Sequence, residues 1–215
     1  MDLPSDNDLL DFAVTLIQSR QNVSPKRLMQ PGPAPQQLQE ILATAAAAPD
    51  HGQLVPWRFV IVPTDQRQRL AEVFGLALID RDPGAKPVQI DNARAKAYRA
   101  PMLMLAIARL TNDEARTGTL PGRGAAHPEA TDADINDAER LVSMGCAIQN
   151  ILLAAHAAGF GAGLTSGQAL ASPRLRELFG LSKNEQAVCC INIGTVTKQK
   201  PPRLRPDVTA FISSL

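Results

Sequence analysis

At 215 residues, 45% of them apolar and 20% charged, the chain has the size and composition of one soluble globular domain spanning 1–215. A net charge of +1 argues against a nucleic-acid surface or an acidic interaction tail. No apolar run reaches the roughly 20 residues that span a bilayer, the acidic start at residues 1–8 is unlike a secretory signal, and the three cysteines point to a reducing cytoplasm rather than a disulfide framework.

In chain order, Asn7 or Asp8 can cap a helix over Leu9, Leu10, Phe12, Ala13, Leu16 and Ile17, which recur at helical spacing. Residues 19–27 follow, polar, basic and interrupted by Pro25. They read either as a solvated loop or as an anion site where hydroxyl, amide and guanidinium donors stand together. Residues 31–35 form a turn inside the domain. Pro35 opens a second helix whose buried stripe is Leu38, Ile41, Leu42 and Ala45. Pro49 stops it, because the residue before a proline avoids the helical conformation. Asp50-His51-Gly52 is a turn, and Pro56 leads into residues 57–62, whose β-branched and aromatic side chains predict a buried strand. By position alone, His51 is a surface residue and Trp57 is core.

Thr64 is placed to cap a helix across Leu70, Val73, Phe74 and Ala77. Residues 80–87 are a charged turn, and a short helix covers 88–98. Residues 102–108 form an almost continuous apolar run, the mark of a strand buried on both faces. Residues 111–136, rich in glycine, proline and small side chains, read as a long loop of the kind that can serve as a lid. The longest helix spans 137–158. Its apolar or small residues run almost all round, which places it at the domain centre or in a dimer seam. Gly159 suits its C-terminal cap. The glycine cluster at 159–167 follows a helix rather than a strand, so it is not a dinucleotide fingerprint. Its glycines instead let the backbone approach a flat ligand or a neighbouring element. Ser172-Pro173 starts a helix closed by Gly180, and residues 188–194 form another buried strand. The tail from Thr195 carries Lys198, Lys200, Arg203 and Arg205 among prolines.

Hydrolase, Walker and zincin motifs do not occur in the sequence. His51, His127 and His156 have no second histidine or cysteine at metal-ligand spacing, so no metal site is expected. Cys189 and Cys190 are adjacent in a strand and point to opposite faces, as small buried hydrophobes. A chain without its own reactive group can use a cofactor's chemistry.

The segments Ser19-Arg20-Gln21-Asn22, Ala48-Pro49-Asp50-His51, Pro56-Trp57-Arg58-Phe59, Gly159-Phe160-Gly161, Ser166-Gly167 and Ile193-Gly194-Thr195 together resemble the nitroreductase family, in its short single-domain bacterial form. The resemblance implies an α+β fold, a mixed β-sheet flanked by helices, in an intertwined homodimer with FMN at the interface. It implies that hydride passes from NADH or NADPH through flavin N5 to a small nitroaromatic, quinone or related acceptor, by a ping-pong mechanism. No side chain is then assigned as catalytic. Ser19, Arg20 and Gln21 match the segment holding the FMN phosphate and the flavin's polar edge. His51 matches a position near the flavin, and Leu164, Thr165 and Ser166 match a stretch along the ring. Gly194 and Thr195, with Arg203 or Arg205, match the C-terminal approach to the phosphate. Close relatives often read Arg-Arg-Ser where this chain has 19–21, an arginine at Ala47, and Trp-Arg at Leu164-Thr165. The competing reading is a flavin carrier or sensor without reductase turnover.

Overall fold

The computed structural model describes residues 6–111 and 135–215. The 111–136 loop reading falls almost wholly outside the described residues, and so does His127.

The organising element is β3, Met102–Arg109, buried along nearly its whole length. It pairs antiparallel with β2 (Trp57–Ile61) on one side and β5 (Glu185–Val196) on the other. Its side chains alternate as a strand requires. Met102, Met104, Ala106 and Ala108 enter one core layer, while Leu103, Leu105 and Ile107 enter the other. The first layer is closed by α5 (Asp137–Ala157) and α2 (Pro35–Ala43), the second by α3 (Arg67–Arg81) and α6 (Pro173–Leu178). Helices on both faces are the reason the run at 102–108 could be apolar throughout. Cys189 and Cys190 fall into opposite layers. Burial holds both thiols protonated, with pKa values pushed up to about 11 and about 12.

Two strands in the sheet have no strand-like sequence signal. β4, Gly161–Thr165, pairs with β5, and β1, Leu28–Met29, pairs with its far end. β4 is glycine-rich and β1 has two residues, so local propensity hides both. The four ladders are all antiparallel, so the sheet is antiparallel rather than mixed; the parallel bridge from Asn22 to Ala162 is isolated, with Asn22 outside the named strands.

Most helices follow the sequence pattern, with shifted ends. α1 is Asp6–Ser19 and α4 is Pro87–Arg94, continued by a 3₁₀ turn at Ala95–Tyr98. Asn136 caps α5 by accepting from Glu139 N, and the Glu139 carboxylate accepts from Asn136 N in return. Gly159 at φ 84° and Gly180 at φ 57° follow α5 and α6 in the left-handed conformation that ends a helix. Thr64 does not cap α3. It lies inside a 3₁₀ turn, Thr64–Gln66, whose N-cap is Pro63, and makes no capping bond.

Candidate functional site

After α1 ends at Ser19, the chain lies alongside β4. Val23 N donates to Ala162 O at 2.9 Å, and Leu164 N donates to Asn22 Oδ1 at 3.2 Å. Gly163 permits the approach, since a Cβ there would stand 2.1 Å from Val23 O. The glycines of β4 therefore serve a neighbouring segment.

This packing opens a cleft of about 410 Å³ lined by Ser19, Arg20, Gln21, Arg27, Thr195 and Lys200. No described carboxylate lines it. Nε of Arg20 and Nε of Arg27 are buried without a hydrogen-bond partner. Arg205 returns from the tail and donates to the carbonyls of Gln18 and Arg20, at 3.3 and 2.9 Å. Burial, and then the neighbouring Arg205 charge, lower the pKa of Arg20. Cations gathered without described acids, with donors unused, have the chemistry that suits an anion.

At the far end of β4 lies a larger cavity of about 560 Å³. Thr165 and Ser166 line it, with Asn92, Lys96 and Arg99 opposite and Phe74 and Leu103 among its apolar wall. Asn192, 1% exposed, ties β4 in place by donating to Gly163 O and Thr165 Oγ1 at 3.3 and 3.1 Å. Pro25 also lines this cavity, so the segment after α1 reaches from the cleft to the cavity. Asn92, Lys96 and Arg99 were not singled out by sequence reasoning. Their spacing of four and then three places them on one helical face, which is the signal that was available.

Of the remaining expected positions, Thr195 alone lines either space. His51 sits on a 3₁₀ turn, His51–Gln53, with Nδ1 3.2 Å from Glu139 Oε1 at the start of α5. Ser19 instead meets His156 at the end of α5. From Glu139 to His156 is about 25 Å of helix at 1.5 Å per residue. The loop bearing His51 is held by Asp50, which accepts from Val55 N at 2.6 Å. Gln53 at φ 52° and Val55 at φ 47° are left-handed there, a strained state for a β-branched residue. Leu164 is exposed, and Arg203 lies exposed along the tail. Gly194 is buried, where a Cβ would stand 2.7 Å from Pro101 Cδ, so packing accounts for that glycine. Thr195 lines the cleft, yet its hydroxyl donates to Pro31 O at 2.7 Å.

Residues 23–195 match the model of the Nitroreductase family. The chain belongs to the nitroreductase family. The Escherichia coli (strain K12) protein named Putative NAD(P)H nitroreductase YdjA is 29% identical over 202 residues, 94% of this chain and 98% of that protein. Among solved structures, a nitroreductase-like family protein from Bacillus cereus gives a TM-score of 0.72 at 17% identity, over 100% of this chain and 98% of its own. A nitroreductase with bound FMN from Desulfitobacterium hafniense DCB-2 gives 0.60 at 20% identity, over 94% of this chain and 97% of its own. These two likenesses establish the nitroreductase-like α+β fold.

Proposed function

We propose that this nitroreductase-family chain is an FMN-dependent oxidoreductase, taking hydride from NADH or NADPH and passing it to a small nitroaromatic, quinone or related acceptor in a ping-pong cycle. The observation that carries the reading is the acid-free basic cleft with unused donors on Arg20 and Arg27. These residues fit a phosphate monoester: Arg20, Arg27 and Lys200 supply charge, and Ser19 and Gln21 supply neutral polar groups. A ligand extended along the segment after α1 would carry its other end past Leu164 to Thr165 and Ser166. Bound there, FMN would supply the hydride-accepting and hydride-donating ring. Lys96 and Arg99 would stabilise negative charge at the far edge of that ring, and the apolar wall with Phe74 and Leu103 would exclude water. No side chain is assigned as general acid or base. The FMN in the Desulfitobacterium hafniense structure and the name of the Escherichia coli relative support the reading.

The working unit is proposed to be an intertwined homodimer. α1 buries none of its residues 7–19, although it carries Leu9, Leu10, Phe12, Val14 and Ile17 exposed. Val142 of α5 and Phe211 and Ile212 of the tail are exposed as well. An isologous second copy with the two α5 helices antiparallel would bring His51 of one chain toward residues 19–21 of the other. No helix among the described residues is long and apolar enough to cross a membrane. Three free thiols fit a cytoplasmic setting.

The test is an absorbance spectrum of the FMN-loaded protein under argon. Bleaching by NADH or NADPH, and recovery of colour on adding a nitroaromatic or quinone, is the expected result. Protein that stays colourless after reconstitution would overturn the flavin reading, and colour that no nicotinamide bleaches would leave a carrier.

A further inference from the structure

His156 stands at the end of α5 with its Nε2 2.8 Å from Ser19 Oγ, on the wall of the basic cleft. The Ser19 hydroxyl also donates to Leu16 O at 3.3 Å. A hydroxyl has one proton. It can serve Leu16 and still bond the imidazole only by accepting from it, so both contacts coexist when Nε2 carries a proton. The imidazole makes no other hydrogen bond among the described residues. The charged groups around it are Arg20 after α1, Arg27 of the following turn and Lys200 of the tail, with Arg205 behind Arg20; no described carboxylate lines the cleft.

We infer that His156 is a phosphate ligand, with Ser19 as its positioning partner, and that it makes the grip on a phosphate monoester depend on pH. The inference rests on the FMN reading above for the identity of that monoester. A dianion entering the cleft meets the imidazolium N–H together with Arg20, Arg27 and Lys200. That contact uses Nδ1–H, because Nε2–H serves Ser19; a neutral ring that keeps Nε2–H has no proton at Nδ1, so the contact is lost when the ring is deprotonated. Riboflavin has the same ring and no phosphate, so it does not feel the change. Ser19 holds the ring of His156 facing the cleft.

The experiment is the ratio of FMN to riboflavin affinity at pH 6 and pH 8, for the wild-type chain, His156→Gln and His156→Lys. In wild type the ratio should fall with rising pH relative to the ratio in His156→Gln, which carries only the phosphate's own second ionisation at about pH 6. In His156→Gln it should be lower by about tenfold at pH 6, the loss of one charge-assisted contact, with riboflavin affinity unchanged. His156→Lys should restore the ratio and keep it at pH 8. A ratio unchanged in His156→Gln, or a loss shared equally by riboflavin, overturns the inference and leaves the FMN reading standing. If the wild-type chain binds no FMN, that reading fails, and inorganic phosphate then decides for His156. A saturable shift of the His156 Cε1–H resonance, not shared by His51, keeps it as a phosphate ligand; no shift removes it.

Discussion

At the scale of single residues, the structure separates side chains that hold the fold from those free to bind. Glu185 belongs to the first group. Arg58 Nε and Nη2 donate to its two carboxylate oxygens at 2.6 and 3.0 Å, and Ser182 N donates at 3.1 Å. The Arg58 hydrogen bond, helped by Ser182, draws the Glu185 pKa from 4.5 down to about 2 against the opposing cost of burial. Since the folded value lies below the unfolded one, the pair stabilises the fold fully above about pH 4.5. That contribution, of order 3 kcal/mol, is lost as pH falls toward 2. Urea unfolding between pH 6 and 3 should therefore show Glu185→Gln losing less stability on acidification than wild type, and parallel losses would refute the assignment. Arg20 belongs to the second group, its Nε buried and unpaired. Arg20→Ala should weaken FMN more than riboflavin by roughly 1.5–3 kcal/mol, read by flavin fluorescence titration. Equal losses for the two ligands would remove Arg20 from the phosphate. His51→Ala and Trp57→Ala should part company in the opposite way. Trp57 is core, so its removal should cost roughly 3–5 kcal/mol of apoprotein stability. His51→Ala should leave the apoprotein melting temperature nearly unchanged while shifting the flavin spectrum or loosening FMN.

At the scale of elements, the candidate site is made by one close approach. The segment after α1 can lie on β4 only because Gly163 lacks a Cβ, which would otherwise meet the Val23 carbonyl oxygen at 2.1 Å and its carbon at 3.0 Å. Both obstacles are backbone, so neither can rotate away. Gly163→Ala should therefore push residues 19–25 off β4 and disrupt the cleft and the cavity together. Expected outcomes are a lower melting temperature and loss of both FMN and riboflavin binding. Retention of both ligands at full affinity would show that the segment can move aside without consequence. Propensity scales argue against a strand at 161–165, because they count glycine as a weakness. Here the same residues are what admit the neighbour. The two core strands were legible for the converse reason: β3 and β5 bury both faces, and that burial is written directly as apolar runs.

At the scale of the whole molecule, the apolar side chains that one chain leaves exposed are what motivate the proposed homodimer. α1 is amphipathic by sequence, yet Leu10 and Phe12 are 62% and 65% exposed. Residues 197–215 of the tail are exposed throughout. An interface that covers such an apolar helix resembles a core cut in half. Light scattering at micromolar concentration should give about twice 23 kDa. A stable, flavin-loaded monomer would contradict the arrangement, and with it the proposal that His51 reaches the flavin.

What local pattern encodes was legible before any packing was known. Apolar runs announced the central strands and helical periodicity announced α2, α3 and α5, while residues 19–27 read either as a solvated loop or as an anion site. Each is a property of a few adjacent residues, so no knowledge of the fold was needed. Tertiary structure decided which distant residues share a space. It put Arg27, Lys200 and His156 around Ser19 and Arg20, set Asn92, Lys96 and Arg99 opposite Thr165, and held His51 at the other end of α5. Those groupings depend on how helices and strands from far-apart stretches pack, and on glycines whose meaning is the neighbour they admit. Sequence spacing carries no direct record of either.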